Sequence, residues 1–181
     1  MDSTRTSRAH AYHRVSSALG ALYHGTFRDA GISPGDRLSP QHEGWEHLGG
    51  EIAEAEEALE RFRPPGALAR DACVYMVADP SEAARVSRDY DIVWEVRPDP
   101  PVEASDLGWY AAFDRKWREI DESGPADREQ GDVGAALAAA DPEDLGELRR
   151  LAAAYWGGDP HPAGLTEYRA PSATALREAT A

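Results

Sequence analysis

The stretch Cys73-Val74-Tyr75-Met76-Val77-Ala78-Asp79-Pro80-Ser81-Glu82-Ala83-Ala84 changes character halfway along. Cys73 to Val77 is apolar, aromatic and β-branched, the composition of a strand. Asp79-Pro80-Ser81 then opens a helix, with proline at its entry and Ala83, Ala84 and Val86 available to pack. A strand that feeds a helix is one structural unit, and the rest of the fold is read from its neighbours.

Upstream, Glu51 to Arg63 (EIAEAEEALERFR) repeats Ile52, Ala55, Ala58, Leu59 and Phe62 at helical spacing. Its acidic residues read as a solvated face, and Pro64-Pro65 stops it. Residues 41–50 read as a loop. Ile32 to Leu38 carries a Pro-Gly turn and a short strand. Ala21-Leu22-Tyr23 is a strand that runs into a glycine turn at His24-Gly25-Thr26, and residues 1–20 are a polar N-terminal extension. Downstream, Tyr90 to Val96 (YDIVWEV) alternates Ile92, Trp94 and Val96 on one side, a half-buried strand ended by Pro98 to Pro101. Residues 105–160 read as a largely helical insertion, with an aromatic run (Trp109, Tyr110, Phe113, Trp117), a break at 121–132, an alanine-rich piece and a helix to Trp156. Leu165 to Arg169 is the last strand, continued as Ala173 to Leu176. Strands scattered among helices without regular alternation predict an α+β class. Residues 21–181 form one domain.

The chain has 181 residues, 33 acidic against 19 basic, for a net charge of −14. Such a surface repels phosphate backbones, which disfavours nucleic-acid partners. Five Trp, seven Tyr and three Phe supply core material. The single Cys73 cannot build an internal disulfide or a cysteine metal site. No run approaches the ~18 apolar residues of a membrane span, and Met1 to Ala18 has no apolar signal core. The expected setting is the cytoplasm, without membrane contact. His42 and His47, with Glu43 and Glu46, fit no compact zinc spacing, so no metal is expected. There is no G-x-S-x-G, no G-x-G-x-x-G and no phosphate-binding P-loop.

Three segments carry a common chemistry. They are Tyr23-His24-Gly25-Thr26, the Tyr75 strand with its helix, and Glu167-Tyr168-Arg169. In that order they resemble the His–Tyr–Glu branch of the ADP-ribosyltransferase superfamily. The small bacterial rifamycin-type enzymes are the nearest comparison. Pro34-Gly35-Asp36-Arg37-Leu38-Ser39-Pro40 is similar to their "GD-L-P" element, and Ile92-Val93-Trp94-Glu95-Val96-Arg97-Pro98 to their second strand motif. Tyr155-Trp156-Gly157 followed by Glu167-Tyr168 also looks like a bacterial family of that fold. The resemblance covers residues 22–40, 73–98 and 165–177. It departs from the rifamycin-type pattern in the 105–160 segment and in a glutamate where the small enzymes use aspartate.

The resemblance implies split antiparallel sheets forming an NAD cleft, flanked by helices. It implies transfer of ADP-ribose from NAD, as co-substrate, to a small-molecule or protein acceptor with release of nicotinamide. His24 would grip the adenosine ribose, and Gly25 would offer its peptide groups to the carboxamide. Thr26 would add a hydroxyl contact, and Tyr75 would stack on nicotinamide. Glu167 would hold a ribose hydroxyl and stabilise the cation that develops as the glycosidic bond breaks. An NAD glycohydrolase of the same fold and a catalytically inactive NAD- or partner-binding module are the alternatives. The blander readings stand beside these. His24 can be an ordinary strand-end histidine and Tyr75 a core residue, and Glu95 or Glu178 can be the acid. Arg169 and Arg177 read as surface charges, and Trp109 to Trp117 as helical core.

Overall fold

The strands form two antiparallel sheets, which meet where the strand Leu22–Thr26 passes the strand Val74–Met76. The computed structural model describes residues 19–26, 30–40, 48, 50–86, 92–124 and 131–179. The polar extension up to residue 18 and the loop around His42 and His47 lie outside the described residues. Four strands form the first sheet: β1 (Leu22–Thr26), β2 (Arg37–Leu38), β4 (Ile92–Pro98) and β7 (Ala173–Ala179), in the order β1-β4-β7-β2. The second is β3 (Val74–Met76), β5 (Glu103–Asp106) and β6 (Thr166–Ala170), in the order β3-β6-β5. Between and around them run α1 (Gly50–Glu60), α2 (Pro80–Val86), α3 (Leu107–Ser123), α4 (Val133–Ala139) and α5 (Pro142–Gly157). The protein is α+β.

Helix ends follow their local chemistry. Asp106, Asp132 and Asp141 each accept a backbone N–H at the start of α3, α4 and α5, the role a short side-chain acceptor plays at an N-cap. Pro142 occupies the first turn of α5, and Gly158 ends it with φ +68°, a left-handed cap that glycine adopts without a Cβ penalty.

The three-stranded sheet is the middle layer. On one face Val74, Met76 and Ala170 meet Leu22, Trp94, Val96, Ala173 and Ala175 of the other sheet. Its opposite face carries Tyr75, Glu103, Ser105, Glu167 and Arg169, because residues in direct register share a face. That polar face is covered by helices, whose own core gathers Leu59, Phe113, Trp117, Leu148 and Trp156. Burial of Leu59, Phe113 and Leu148, each fully covered, contributes roughly 1.5–3 kcal/mol apiece.

Several expectations need correction. β1 does not turn at Gly25 but continues in register to Thr26 opposite Ile92. Ser105 and Asp106, expected to open the helical insertion, instead close strand β5 (Glu103–Asp106), which pairs with β6. Its sequence, Glu-Ala-Ser-Asp, has no apolar alternation to betray a strand, because its polar side chains point into a covered face. Ile52 is 48 % exposed and does not join the buried stripe of α1. Glu56, on the face read as solvated, is buried. Arg169, read as a surface charge, is 0 % exposed. Arg177 is exposed and pairs with Glu95.

Candidate functional site at the seam between the sheets

The two sheets meet where β1 runs beside β3. Tyr23 N–H donates to the Val77 carbonyl at 2.8 Å, and Val77 N–H returns a bond at 3.0 Å. Among the described residues this is the one bridge between the strands. Backbone polar groups alternate sides along a strand. The N–H and C=O of Gly25 therefore point the same way as those of Tyr23, toward β3, where Tyr75 would be the next partner. The strands part before that pair forms. The imidazole of His24 takes the place instead, with Nδ1 2.7 Å from the Tyr75 carbonyl oxygen.

A carbonyl only accepts, so Nδ1 carries the proton, and in the neutral ring Nε2 is a bare acceptor. Burial lowers the proton affinity of His24, and the bond to the Tyr75 carbonyl opposes that shift only in part. The neutral ring is thus the favoured form. Two further polar atoms lie on the same face of the sheet, since Trp94 is paired with His24 and Thr26 is two residues along β1. Thr26 Oγ1 and Trp94 Nε1 are both buried, and among the described residues neither has a hydrogen-bond partner. Leaving such an atom unpaired costs about 1–3 kcal/mol.

Behind Tyr75 lies a buried ionic cluster with Arg70 at its centre. Arg70 sits in a 3₁₀ turn, Arg70–Ala72, just before β3. Its guanidinium meets Glu56 of α1 through two bonds, Nε to Oε2 at 2.6 Å and Nη2 to Oε1 at 3.0 Å. It also donates to Oε1 of Glu167 at 2.8 Å and to the hydroxyl of Tyr155. The Tyr155 hydroxyl in turn donates to Glu167 Oε1 at 2.9 Å. The rings of Tyr75, Tyr110 and Tyr155 surround the guanidinium carbon at 5.0, 5.0 and 5.1 Å from their centres, within cation–π range. The Tyr75 hydroxyl donates to the Arg70 carbonyl at 2.5 Å.

Electrostatics keep these groups in fixed protonation states. Burial works against the charge on Arg70, but the Glu167 and Glu56 carboxylates beside it outweigh burial and hold the guanidinium charged. Burial raises the Tyr75 phenol well above its ordinary range, despite the opposing pull of Arg70. Cys73 is likewise pushed up to about 12 by burial, which makes it an inert thiol at neutral pH. Arg169 shares the same face, with Nη2 2.9 Å from Ser105 Oγ and 3.5 Å from Glu103. Burial and the nearby Arg70 charge lower its proton affinity.

Of the residues singled out by sequence, His24 and Tyr75 meet through a ring and a peptide. Tyr75 and Glu167 meet through Arg70. Gly25 and Thr26 follow His24 on β1. Glu95 and Glu178, the other acids weighed, lie on β4 and β7, and Glu95 pairs with Arg177. Arg70, Glu56 and Tyr155 were missed. Glu56 was read with the solvated acidic face of α1, and its neighbours Ala55, Ala58 and Leu59 are the buried residues it joins. Tyr155 follows Leu148, Leu151 and Ala152 at the same helical spacing. Nothing in the sequence around Arg70 marks it. A separate cavity of about 230 Å³ opens where α3, α4 and α5 converge, beside Ile120, Ala136 and Asp141; none of the site residues lines it. Among the described residues no cluster of metal-ligating side chains occurs, and no helix is long and apolar enough to cross a membrane.

Compared with protein-family models, with curated proteins and with solved structures, the chain has no match. Its function is therefore read from its own geometry.

Proposed function

We propose that this chain is an NAD-dependent mono-ADP-ribosyltransferase that takes NAD into the gap where β1 and β3 part. The observation that carries the reading is the His24–Tyr75 contact. It closes the seam with a side chain, and among the described residues the peptide groups of Gly25 that face β3 have no backbone partner. A planar carboxamide, with one acceptor and one donor group, matches a backbone N–H and C=O offered side by side.

The fit of the other residues can be judged atom by atom. His24 Nε2, the free acceptor of a neutral ring, suits a ribose hydroxyl. Thr26 Oγ1, buried and without a partner among the described residues, suits a second polar contact with the dinucleotide. Tyr75 presents an aromatic ring beside this edge, covered on one side by Arg70. Glu167 supplies a carboxylate from the strand next to Tyr75.

In the reaction, the bond from nicotinamide to ribose breaks and its electron pair leaves with nicotinamide. The acceptor then forms a bond to the same carbon and loses a proton. An oriented anion beside the sugar stabilises the charge that builds there, and such preorganised groups are worth about two to three orders of magnitude in rate. Positioning supplies much of the remainder. The acceptor is a small molecule or a protein. The net charge of −14 disfavours a nucleic acid.

One observation favours a second reading, a module that binds NAD without turnover. Arg70 already neutralises the Glu167 carboxylate at 2.8 Å. Incubation with NAD separates the two. The transferase releases nicotinamide and labels an acceptor from adenine-labelled NAD; the binding module gives a calorimetric signal and no nicotinamide. Release that is independent of any added acceptor identifies a glycohydrolase of the same site.

A further inference from the structure

We propose that Arg70 and Tyr155 are positioning residues that clamp one carboxylate oxygen of Glu167 and leave the other for the ligand. This rests on the reading of the seam as an NAD site. Both donors converge on Oε1: Arg70 Nη1 at 2.8 Å and the Tyr155 hydroxyl at 2.9 Å. A carboxylate oxygen has two lone pairs in its plane, so two donors fill Oε1 and the free accepting capacity sits on Oε2.

Arg70 is itself held from several sides. Glu56 takes the opposite edge of its guanidinium in two bonds. Its backbone N–H donates to Glu60 at 2.6 Å, and its carbonyl accepts from Tyr75. A planar fork fixed at both ends sets direction as well as charge. The clamp thereby ties three distant pieces of chain to one carboxylate: the turn before β3, helix α5 and strand β6. Helix α5 lies in the segment that the sequence presents as an insertion, and Tyr155 makes it part of the site.

A plain structural ion pair would hold the fold together without caring which carboxylate oxygen is engaged. A positioning clamp has a different signature, because removing one donor frees the carboxylate to turn while leaving NAD contacts elsewhere in place. Tyr155→Phe is the discriminating variant. It keeps the ring, its packing on Trp156 at 5.2 Å between ring centres and its contact with Arg70, and removes only the hydroxyl.

The test measures nicotinamide release from NAD by the full chain in the presence of a dialysed cell lysate as acceptor source, with the lysate-only rate subtracted, kcat and KM for NAD taken separately and folding followed by circular dichroism. The clamp predicts that Tyr155→Phe lowers kcat about tenfold with KM within about twofold. Arg70→Lys, which keeps the charge and loses the fork, falls further in kcat; should that variant fail to fold, Tyr155→Phe decides alone. Unchanged kcat in Tyr155→Phe, or a change confined to KM or to melting temperature, overturns the clamp while leaving the NAD reading intact. Wild-type protein that releases no nicotinamide overturns the transferase reading and the clamp together.

Discussion

The imidazole of His24 is bonded to the peptide carbonyl of Tyr75 across 2.7 Å, in the position a backbone N–H would take if the two sheets were one. A side chain thus ends the seam between β1 and β3 one residue after the Tyr23–Val77 bridge. That substitution of ring for peptide holds the strands together and keeps them from closing.

The first prediction concerns pH. The folded chain favours neutral His24, with a proton affinity below the ordinary value of 6.5 because the ring is desolvated. The unfolded chain therefore takes up that proton first as pH falls. Stability contributed by the neutral ring is complete above about pH 6.5 and declines as pH drops from there toward the lowered folded value. Urea midpoints measured from pH 8 to 5 should fall more steeply for wild type than for His24→Gln. Parallel curves would show that His24 is not the group responsible.

Glu56 and Glu57 are neighbours in sequence and opposites in consequence. Glu56 is 6 % exposed at its side chain and braces Arg70, whereas Glu57 is 45 % exposed and pairs with Arg61 along the helix. Removing one partner of a buried pair strands the other charge, at about 3–5 kcal/mol. An exposed pair of this spacing contributes about 0.3–0.5 kcal/mol. Denaturant titration should place Glu56→Ala severalfold below Glu57→Ala in stability. Equal losses would mean that Arg70 finds solvent when Glu56 is gone.

Glycines give a second matched pair. A Cβ on Gly164 would stand 1.5 Å from Asp106 Oδ1, the oxygen that accepts from Gly108 at the start of α3. Gly164→Ala should destabilise by roughly 1–3 kcal/mol, the usual range for overpacking. Gly146 lies inside α5 with open space where a Cβ would go. Gly146→Ala should raise stability by about 0.5–1 kcal/mol through helix propensity. Thermal melts of the two variants should move in opposite directions.

The sequence carried much of the fold, and the reasons for its failures are physical. Alternation of Ile92, Trp94 and Val96 exposed β4, although Val93 on its other face is buried too, and helical spacing with the Pro64-Pro65 stop exposed α1, which buries one apolar face. β5 and β6 follow another rule. Their polar residues Glu103, Ser105, Glu167 and Arg169 point inward against helices, so a reading that equates polar with solvent inverts them. Arg169 was misread for that reason, and β5 was missed for the same one. The candidate site divides along the same line. His24 and Tyr75 stood out as short motifs on apolar strands. Arg70 did not, since its importance comes from Glu56, Tyr155 and Glu167, which are brought together only by the fold.

Glu167 gives the sharpest prediction about chemistry. Glu167→Gln keeps an acceptor for Arg70 and Tyr155 but removes the anion, so on the proposed reading nicotinamide release falls by about two to three orders of magnitude. Calorimetry should show NAD affinity changed far less. Loss of binding in step with turnover would assign Glu167 to holding the dinucleotide.

The most direct test of the NAD reading is quantification of free nicotinamide after incubating the purified full chain with NAD and a dialysed cell lysate as acceptor source, against a lysate-only blank and alongside Glu167→Gln and His24→Ala prepared identically. The reading predicts release by the wild-type chain, near-background release by Glu167→Gln, and weakened NAD binding in His24→Ala. Wild-type protein that neither binds NAD by calorimetry nor frees nicotinamide would contradict it.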